Sequence, residues 1–334
     1  MLKKILCFIM LVFLCTSCTK NNEEITFSSW GSITETEILH TLISDFEKDN
    51  PDIKINFIHI PQNYFQKLHL LFASNTEPDI IFINNLYLPI YADKLEDLSS
   101  FNIDLYYPQS IEVMKVNGQL KAIPRDISDL VFYYNKDISG KISPNWSFEE
   151  FYNVIKRNTN KSHFGVSFES DIYKADPYIQ TLGFDEGIKF YKNLEGKYAP
   201  SPSDVGSSTL AQMFLDKKIV FYLSGRWMYP KIKECADFEF GVIPFPGVTT
   251  SDASGWAISK NSKHKEKAFR FLKYISSKES IKYFADTGLI VPARNDVKFD
   301  FSEPFYNGIQ KSIPNKTDKN YNKKRDKLNK ELFN

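Results

Sequence analysis

The chain has 334 residues, 42% of them apolar and 25% charged, so it can bury a large core, and its length suggests two units of ordinary domain size. Lys plus Arg 42 against Asp plus Glu 41 leaves a formal net charge of +1, which excludes a global field that recruits nucleic acid or coats an anionic membrane. Three of the four cysteines lie in the first eighteen residues, so the rest of the chain keeps only Cys235 and cannot form an internal disulfide. We expect Cys235, on a predicted helix, to be a small buried side chain.

The N-terminus carries the pattern of an export signal. Two lysines precede an apolar run at 5–14, which is too short for a spanning helix of roughly 20 residues. The Thr-Ser-Cys sequence that follows is similar to a bacterial lipobox, although Cys15 stands where that pattern prefers Leu. We therefore expect a lipoprotein signal peptide at 1–17, lipidation of Cys18 and a polar tether at 18–24. A plain cleaved signal is the alternative.

Strand and helix patterns alternate in the next sixty residues. The predicted elements are a strand at 25–30, a helix that begins at a capping box of Thr34 and Glu37, a strand at 53–60, a helix at 64–72 and a strand at 78–84. This order implies a parallel sheet with right-handed crossovers, and open sheets of this kind bind ligands beyond the carboxyl ends of their strands. We therefore expect Trp30, Ser32, Asn84 and Asn85 to rim one edge of the sheet.

The rest of the chain continues the alternation. The predicted elements are a buried strand at 131–134, a helix from a capping box of Ser147 and Glu150, strands at 163–168, 238–245 and 256–258, a helix with Ala268 and Ile275 on its apolar face, a helix from a capping box of Ser276 and Glu279, and helices near 304–313 and 320–332. The helix that begins at Ser276 ends at Gly288.

Several stretches, in one order along the chain, resemble family 1 extracellular solute-binding proteins, the lipid-anchored receptors of ABC importers. They are the PDI strand followed by LEDL at 95–98, NGQLKAIPRDISDLVFYYNKDI at 117–138, Trp146 with EEF at 149–151, AQMFLDKKIVFYLSGRWMYPKI at 211–232, and the strand, KHKEKAF helix and closing GLIVPAR within 255–294. The chain departs from the family pattern where Lys217 replaces a glycine. It is also shorter than typical members at 162–202, which leaves the depth of the pocket open.

The resemblance implies a two-lobe α/β fold of the periplasmic-binding-protein type, type II-like. Each lobe would be a mostly parallel sheet flanked by helices, and crossing hinge strands would join the lobes. Lobe 1 would comprise 25–122 and 255–291, and lobe 2 would comprise 123–254 and 292–334.

The resemblance also implies ligand contacts from both lobes and from the crossing region. The expected ligand-binding residues are Trp30, Ser32, Asn84, Asn85, Arg125, Asp126, Gly225, Trp227, Gly255, Trp256 and Arg294. Gly225 would let the backbone approach a ligand closely. Two alternatives remain open: Arg125 and Asp126 as a surface ion pair, and Trp227 as a core side chain.

The function implied by the resemblance is reversible capture of a sugar, polyol or sugar phosphate outside the cytoplasm and its delivery to the membrane subunits of an ABC importer. The expected receptor is a monomer held to a bacterial membrane by its lipid anchor, without cofactor, metal, catalytic residues or nucleic-acid partner. The sequence lacks a glycine-rich phosphate loop and a G-x-S-x-G elbow, and its five histidines have no metal spacing. A secreted glycoside hydrolase is the enzymatic alternative, because it also needs an aromatic cleft and two carboxylates about 5 to 10 Å apart. A structural or adhesion lipoprotein would predict repeats, which are not visible.

Overall fold

A computed structural model describes residues 23–300 and 302–333, so the predicted signal peptide and Cys18 lie outside the described residues. The strands are β1 (Glu23–Ser29), β2 (Ile53–His59), β3 (Ile80–Asn84), β4 (Lys115–Val116), β5 (Gln119–Leu120), β6 (Ile123–Ser128), β7 (Val131–Asn135), β8 (Phe164–Val166), β9 (Ile219–Ser224), β10 (Phe240–Pro244), β11 (Thr250–Ile258), β12 (Val291–Pro292) and β13 (Ile313–Pro314). Because β1 begins at Glu23, the last two residues of the predicted tether belong to a strand.

Helices flank the strands. They are α1 (Ile33–Asp49), α2 (Tyr64–Ala73), α3 (Leu88–Tyr91), α4 (Pro108–Val113), α5 (Lys136–Ser139), α6 (Phe148–Arg157), α7 (Ile172–Leu182), α8 (Phe184–Lys192), α9 (Pro202–Val205), α10 (Leu210–Leu215), α11 (Tyr229–Cys235), α12 (Lys265–Ile275), α13 (Lys278–Asp286), α14 (Glu303–Lys311) and α15 (Tyr321–Phe333), with short 3-10 turns at Ala92–Lys94 and Arg226–Met228. Within the two described ranges, every helix is too short or too polar to cross a membrane.

The larger sheet has the strand order β12-β6-β11-β3-β1-β2, and β13 pairs with β11. β1 pairs in parallel with β2 and β3, as the alternating pattern predicts. β11 runs antiparallel to both β3 and β6, and so brings a late segment of the chain into the middle of the sheet. The first four residues of β3, Ile80 to Ile83, are completely buried, because this strand is covered on both faces.

The smaller sheet has the order β10-β7-β9-β8, antiparallel except for the β8 and β9 pair. Stacked aromatic rings fill its core, in which Phe132 lies 5.2 Å from Phe151 and 5.7 Å from Phe245, centroid to centroid. The two-lobe α/β prediction is therefore confirmed, but both sheets are mixed rather than mostly parallel. The reason is that strands entering from the crossing segments run against the strands already in place.

The chain crosses between the sheets in few residues. β6 of the larger sheet ends at Ser128 and β7 of the smaller sheet begins at Val131. The C-terminal part also reaches both sheets, because β13 pairs with β11 while α15 packs against α7. The larger sheet combines β6, from the segment predicted as lobe 2, with strands from the segments predicted as lobe 1. The exact limits of the two lobes stay a prediction.

Two helix starts and one side chain differ from the sequence prediction. Ser32, not Thr34, caps α1, and its partner in the capping box is Glu35. Ser277, not Ser276, caps α13. Neighbouring hydroxyls offer equivalent caps in the sequence, and the approach of the preceding chain decides between them. The capping box of Ser147 and Glu150 is confirmed, whereas Cys235 is exposed at the end of α11 rather than buried.

Candidate functional site

A cavity of about 300 Å³, called the cleft below, lies between the two sheets. One side is formed by the ends of β1, β3 and β6, by β11 and by the start of α1, and the other by α7 and the turn after β9. The lining side chains are Trp30, Glu35, Asn84, Asn85, Leu86, Arg125, Asp126, Ile127, Ser128, Tyr173, Arg226, Trp227, Asp252, Ser254, Leu289, Ile290 and Val291.

Arg125 lies buried at one side of the cleft between two carboxylates. Its Nε donates to Asp126 Oδ2 at 2.7 Å, and its Nη1 lies 3.0 Å from Glu35 Oε1. The guanidinium also lies 4.3 Å from the ring centroid of Phe82 and 4.9 Å from that of Phe284. Burial lowers the pKa of Arg125, but the two carboxylates outweigh it and raise the pKa overall. The predicted ion pair is therefore present, but it is buried rather than on the surface.

The two carboxylates beside Arg125, those of Asp126 and Glu35, differ in their environment. Burial raises the pKa of Asp126 although the guanidinium of Arg125 opposes the shift. Glu35 Oε2 accepts from the backbone N–H of Ser32 at 2.9 Å, which closes the capping box of α1. Ser32, predicted as a ligand contact, is thus used to position Glu35. The preceding Gly31 has φ +143°, a conformation that favours glycine, and a side chain there would meet Glu35.

A second polar cluster surrounds Asp252 on β11. Its Oδ1 accepts from Asn85 Nδ2 and from Asn315 Nδ2, each at 2.8 Å. Asn85 is buried, and its Oδ1 accepts from the backbone N–H of Ala253 at 3.2 Å. The hydroxyl of Thr317 donates to the backbone oxygen of Asn85 at 2.6 Å. Burial raises the pKa of Asp252, while the hydrogen bonds from Asn85 and Asn315 act against it. The C-terminal segment therefore holds Asp252 and Asn85 in place through hydrogen bonds.

The side of the cleft formed by the smaller sheet presents Trp227, which is 42% exposed, and the half-buried Tyr173 of α7. A Cβ at Gly225 would lie 2.0 Å from the Trp227 indole, so the glycine makes room for this ring rather than for a ligand. The hydroxyl of Tyr133 donates to the Gly225 carbonyl oxygen at 2.9 Å and fixes the turn. Trp227 thus lies at the cleft and not in the core.

Arg226, next to this ring, joins the two sides of the molecule. Its Nε donates to the carbonyl oxygen of Gly288, beyond α13, at 2.7 Å, and its Nη2 donates to that of Asp300 at 3.3 Å. The guanidinium lies 4.2 Å from the ring centroid of Tyr229 and 4.6 Å from that of Phe305. Burial lowers its pKa.

Three predicted ligand residues lie away from the cleft. Trp256 is completely buried and packs between Phe82 and Phe284, at 5.9 and 6.2 Å between centroids. Gly255 lies where β11 meets β6 so closely that a Cβ would be 2.0 Å from the Ile123 carbonyl oxygen.

The third of these residues is Arg294. It forms a two-pronged ion pair with Asp296, at 3.0 Å from Nε and 2.9 Å from Nη2, and lies at another cavity beside Phe101 and Phe269. The structure thus places all three residues outside the cleft lining, where packing or a local partner accounts for each.

The structure brings six of the predicted residues together around the cleft. They are Trp30, Asn84, Asn85, Arg125, Asp126 and Trp227. Sequence reasoning missed Glu35, Tyr173 and Asp252 as lining residues. Glu35 had a local signal in its position three residues after Ser32, and Asp252 lies in the polar first half of β11, where only the apolar half was predicted as strand. Tyr173 carries no local signal, since the packing of α7 alone brings it to the cleft.

The arrangement suits binding of a small polar molecule with a flat face. Hydrogen-bond acceptors and amides converge from one side and an exposed indole from the other, as in many small-molecule sites. Among residues 23–300 and 302–333, no three His, Cys, Asp or Glu side chains come together as a metal site.

The chain is similar to known binding proteins. The family model for bacterial extracellular solute-binding proteins matches residues 41–305. The maltodextrin-binding protein of Bacillus subtilis is 22% identical over 310 residues, which cover 78% of this chain and 72% of the relative.

Solved structures show the same fold. An ABC substrate-binding protein of Listeria monocytogenes in complex with cycloalternan has a TM-score of 0.80 and 25% identity, with 92% of each chain covered. The GacH receptor of Streptomyces glaucescens, solved unliganded and with acarbose, has a TM-score of 0.80 and 19% identity over 92% of each chain. Family and neighbours are binding proteins of transporters, which favours the receptor prediction over the glycoside hydrolase alternative.

Proposed function

The chain belongs to the bacterial extracellular solute-binding proteins, a family that acts outside the cytoplasm, and from this premise we propose that it captures a sugar or related small solute for an ABC importer. The cleft would hold the solute reversibly between the two lobes, and the importer's membrane subunits would receive it. The ligands named for the similar proteins are maltodextrin, cycloalternan and acarbose, and they support a carbohydrate as the solute.

The proposal rests on one observation: polar side chains and an aromatic ring face each other across the cleft. Asn85, Asp126 and Asp252 offer amide and carboxylate groups that can bond ligand hydroxyls. Trp227 from the other sheet offers an exposed flat face of the kind on which an apolar ring face can stack. A ligand favours closure of the lobes only to the extent that it binds the closed form better, so contacts from both sides are required.

The anchoring part of the proposal concerns the N-terminus. We propose that Cys18, outside the described residues, is lipidated after removal of 1–17 and that the short tether keeps a monomeric receptor near its membrane. Labelling with a radioactive fatty acid in a bacterial host tests this, with Cys18→Ser as the control. Equal labelling of the two proteins would contradict the anchor.

A thermal-shift screen of sugars, sugar phosphates and polyols tests the capture function. Any compound that stabilises the protein is then incubated with it and recovered for chromatography and mass spectrometry. We expect one or more saccharides to raise the melting temperature and to be recovered unchanged, because binding to the folded state stabilises it. Recovery of a cleaved compound would instead support the hydrolase alternative.

A further inference from the structure

The two cationic side chains of the cleft are already bound to other groups of the protein. Arg125 is held by Glu35 at 3.0 Å and by Asp126 at 2.7 Å. Arg226 donates to the carbonyl oxygens of Gly288 and Asp300 and is covered by aromatic rings. A phosphate or carboxylate on a ligand would have to replace these short contacts. Such a replacement would leave carboxylates or carbonyl oxygens unsatisfied in a buried site, which costs free energy.

The acidic side chains outnumber the cationic ones around the same cavity. Glu35, Asp126 and Asp252 line it, against Arg125 and Arg226. A carboxylate has about four acceptor positions, and the amides of Asn85 and Asn315 both donate to Oδ1 of Asp252. Ligand hydroxyls can use the positions that remain, whereas a ligand anion would meet charge of its own sign. Burial raises the pKa of Asp126 and of Asp252, and in either protonation state both side chains can bond ligand hydroxyls.

The volume of the cleft limits the length of the ligand. At about 300 Å³ it lies at the lower end of the range of roughly 300–1,000 Å³ for small-molecule sites. The side of the smaller sheet offers one well-exposed ring, Trp227, beside the half-buried Tyr173. A small cavity with one well-exposed ring fits one or two sugar rings better than a longer chain.

We propose that the cleft selects an uncharged saccharide of one or two rings and excludes phosphorylated and carboxylated sugars. Its polar side bonds the hydroxyls through carboxylate and amide oxygens, and the Trp227 indole covers a ring face. This inference rests on the proposed capture function and narrows it, since that function alone admits sugar phosphates and longer oligosaccharides.

Isothermal titration calorimetry with matched probes tests the proposal. The charge pairs are galactose with galacturonate and glucose with glucose 6-phosphate, and the length series runs from glucose through maltose and maltotriose to maltotetraose. Cellobiose, lactose, sucrose and trehalose widen the set of short neutral sugars. We expect at least one neutral mono- or disaccharide to bind, with its charged counterpart weaker by about tenfold or more. Binding of the neutral sugar should change little between low and high NaCl, because no net charge is neutralised.

Different failures identify different errors. Equal or tighter binding of galacturonate or glucose 6-phosphate would overturn the charge inference and leave the capture function intact. Affinity that keeps rising from maltose to maltotetraose would overturn the size inference alone. If no saccharide of the panel binds, charged or neutral, both the inference and the proposed carbohydrate function are overturned.

Discussion

The side of the cleft on the larger sheet is held by buried charges and hydrogen bonds, whereas the side on the smaller sheet presents an exposed aromatic ring. Arg125 and Asp252 each have two or more partners within the protein. Trp227 instead leaves 42% of its surface in solvent. The first side is therefore organised before a ligand arrives, which lowers the entropy cost of binding. The second side gains most of its stabilisation when a ligand covers it.

The largest effect is expected on the polar side. Replacing Arg125 with Ala leaves Glu35 and Asp126 in a buried site without their cation, and we expect the free energy of unfolding to fall by about 3–5 kcal/mol. Urea denaturation followed by circular dichroism measures this loss. Arg270→Ala is the matched control, because its ion pair with Asp52 is 44% and 47% exposed and should contribute far less to stability. Similar losses of stability in the two variants would contradict the conclusion that the buried charges organise the polar side of the cleft.

On the side of the smaller sheet, a substitution should change ligand affinity rather than stability. Replacing Trp227 with Ala removes the ring that covers the ligand, and we expect affinity for the best saccharide to fall by about tenfold or more, since ring contacts add to the area buried. The unfolding free energy should hardly change. Phe184→Ala, at a residue 48% exposed on α8, is the control and should leave affinity unaltered. Unchanged affinity of the Trp227 variant in calorimetry would remove this ring from the site.

A smaller effect sharpens the account of how the polar side is positioned. Asn315 does not line the cleft, but its amide donates to Asp252 Oδ1 at 2.8 Å, and its loss removes one hydrogen bond of about 0.5–1.5 kcal/mol. We expect Asn315→Ala to weaken ligand binding several-fold. Asn158→Ala is the control, because it removes one hydrogen bond, from its amide to the Val154 carbonyl oxygen in α6, at a position that does not line the cleft. A loss of affinity of the same size in both variants would indicate general loosening and not positioning.

The smallest predicted effect concerns the anchor of the C-terminal helix. Burial raises the pKa of Asp171, but hydrogen bonds from Arg325 and the Tyr173 backbone outweigh it and hold the pKa below the ordinary 3.8. A carboxyl whose pKa is lower in the folded state stabilises the fold above its unfolded value and loses this effect as pH falls through the folded value. The stability difference between the protein and Asp171→Asn should thus be constant from about pH 7 to 5 and shrink below about pH 4. We expect a difference below about 1 kcal/mol because the pair is partly exposed.

Denaturant titrations at several pH values measure this difference. In an Arg325→Ala background most of the pH dependence should disappear. If it persists there unchanged, the contact with Arg325 is not its cause.

Local patterns in the sequence predict what local interactions determine. The strands β1 to β3 and the capping box of Ser147 follow from alternation and from residue spacing, and the structure has them close to the predicted limits. The start of α1 shifted because Ser32 with Glu35 and Thr34 with Glu37 satisfy the same spacing. Only the turn at Gly31, with its positive φ, selects the first pair.

The site was predictable where it lies on strand ends and unpredictable where it depends on contacts between distant segments. Asn84 and Asn85 end a parallel strand, and their position follows from a general rule for such sheets. The partnership of Asp252 with Asn85 joins residues 167 positions apart. The side that Trp256 faces was unpredictable for the same reason, because a Trp on a crossing strand faces the core or the cleft according to register, which spacing alone does not define.

The hydrogen bonds between the C-terminal segment and the cleft have a consequence for when the binding site forms during synthesis. Asn315 donates to Asp252 and Thr317 to Asn85, and further along the chain Arg325 donates to Asp171 at the start of α7. A polypeptide still being synthesised lacks these contacts until residues 315 to 325 have left the ribosome. A product truncated before residue 315 therefore carries every lining ring and carboxylate of the cleft but not the hydrogen bonds that position them, so the binding site becomes organised only after this segment has been made.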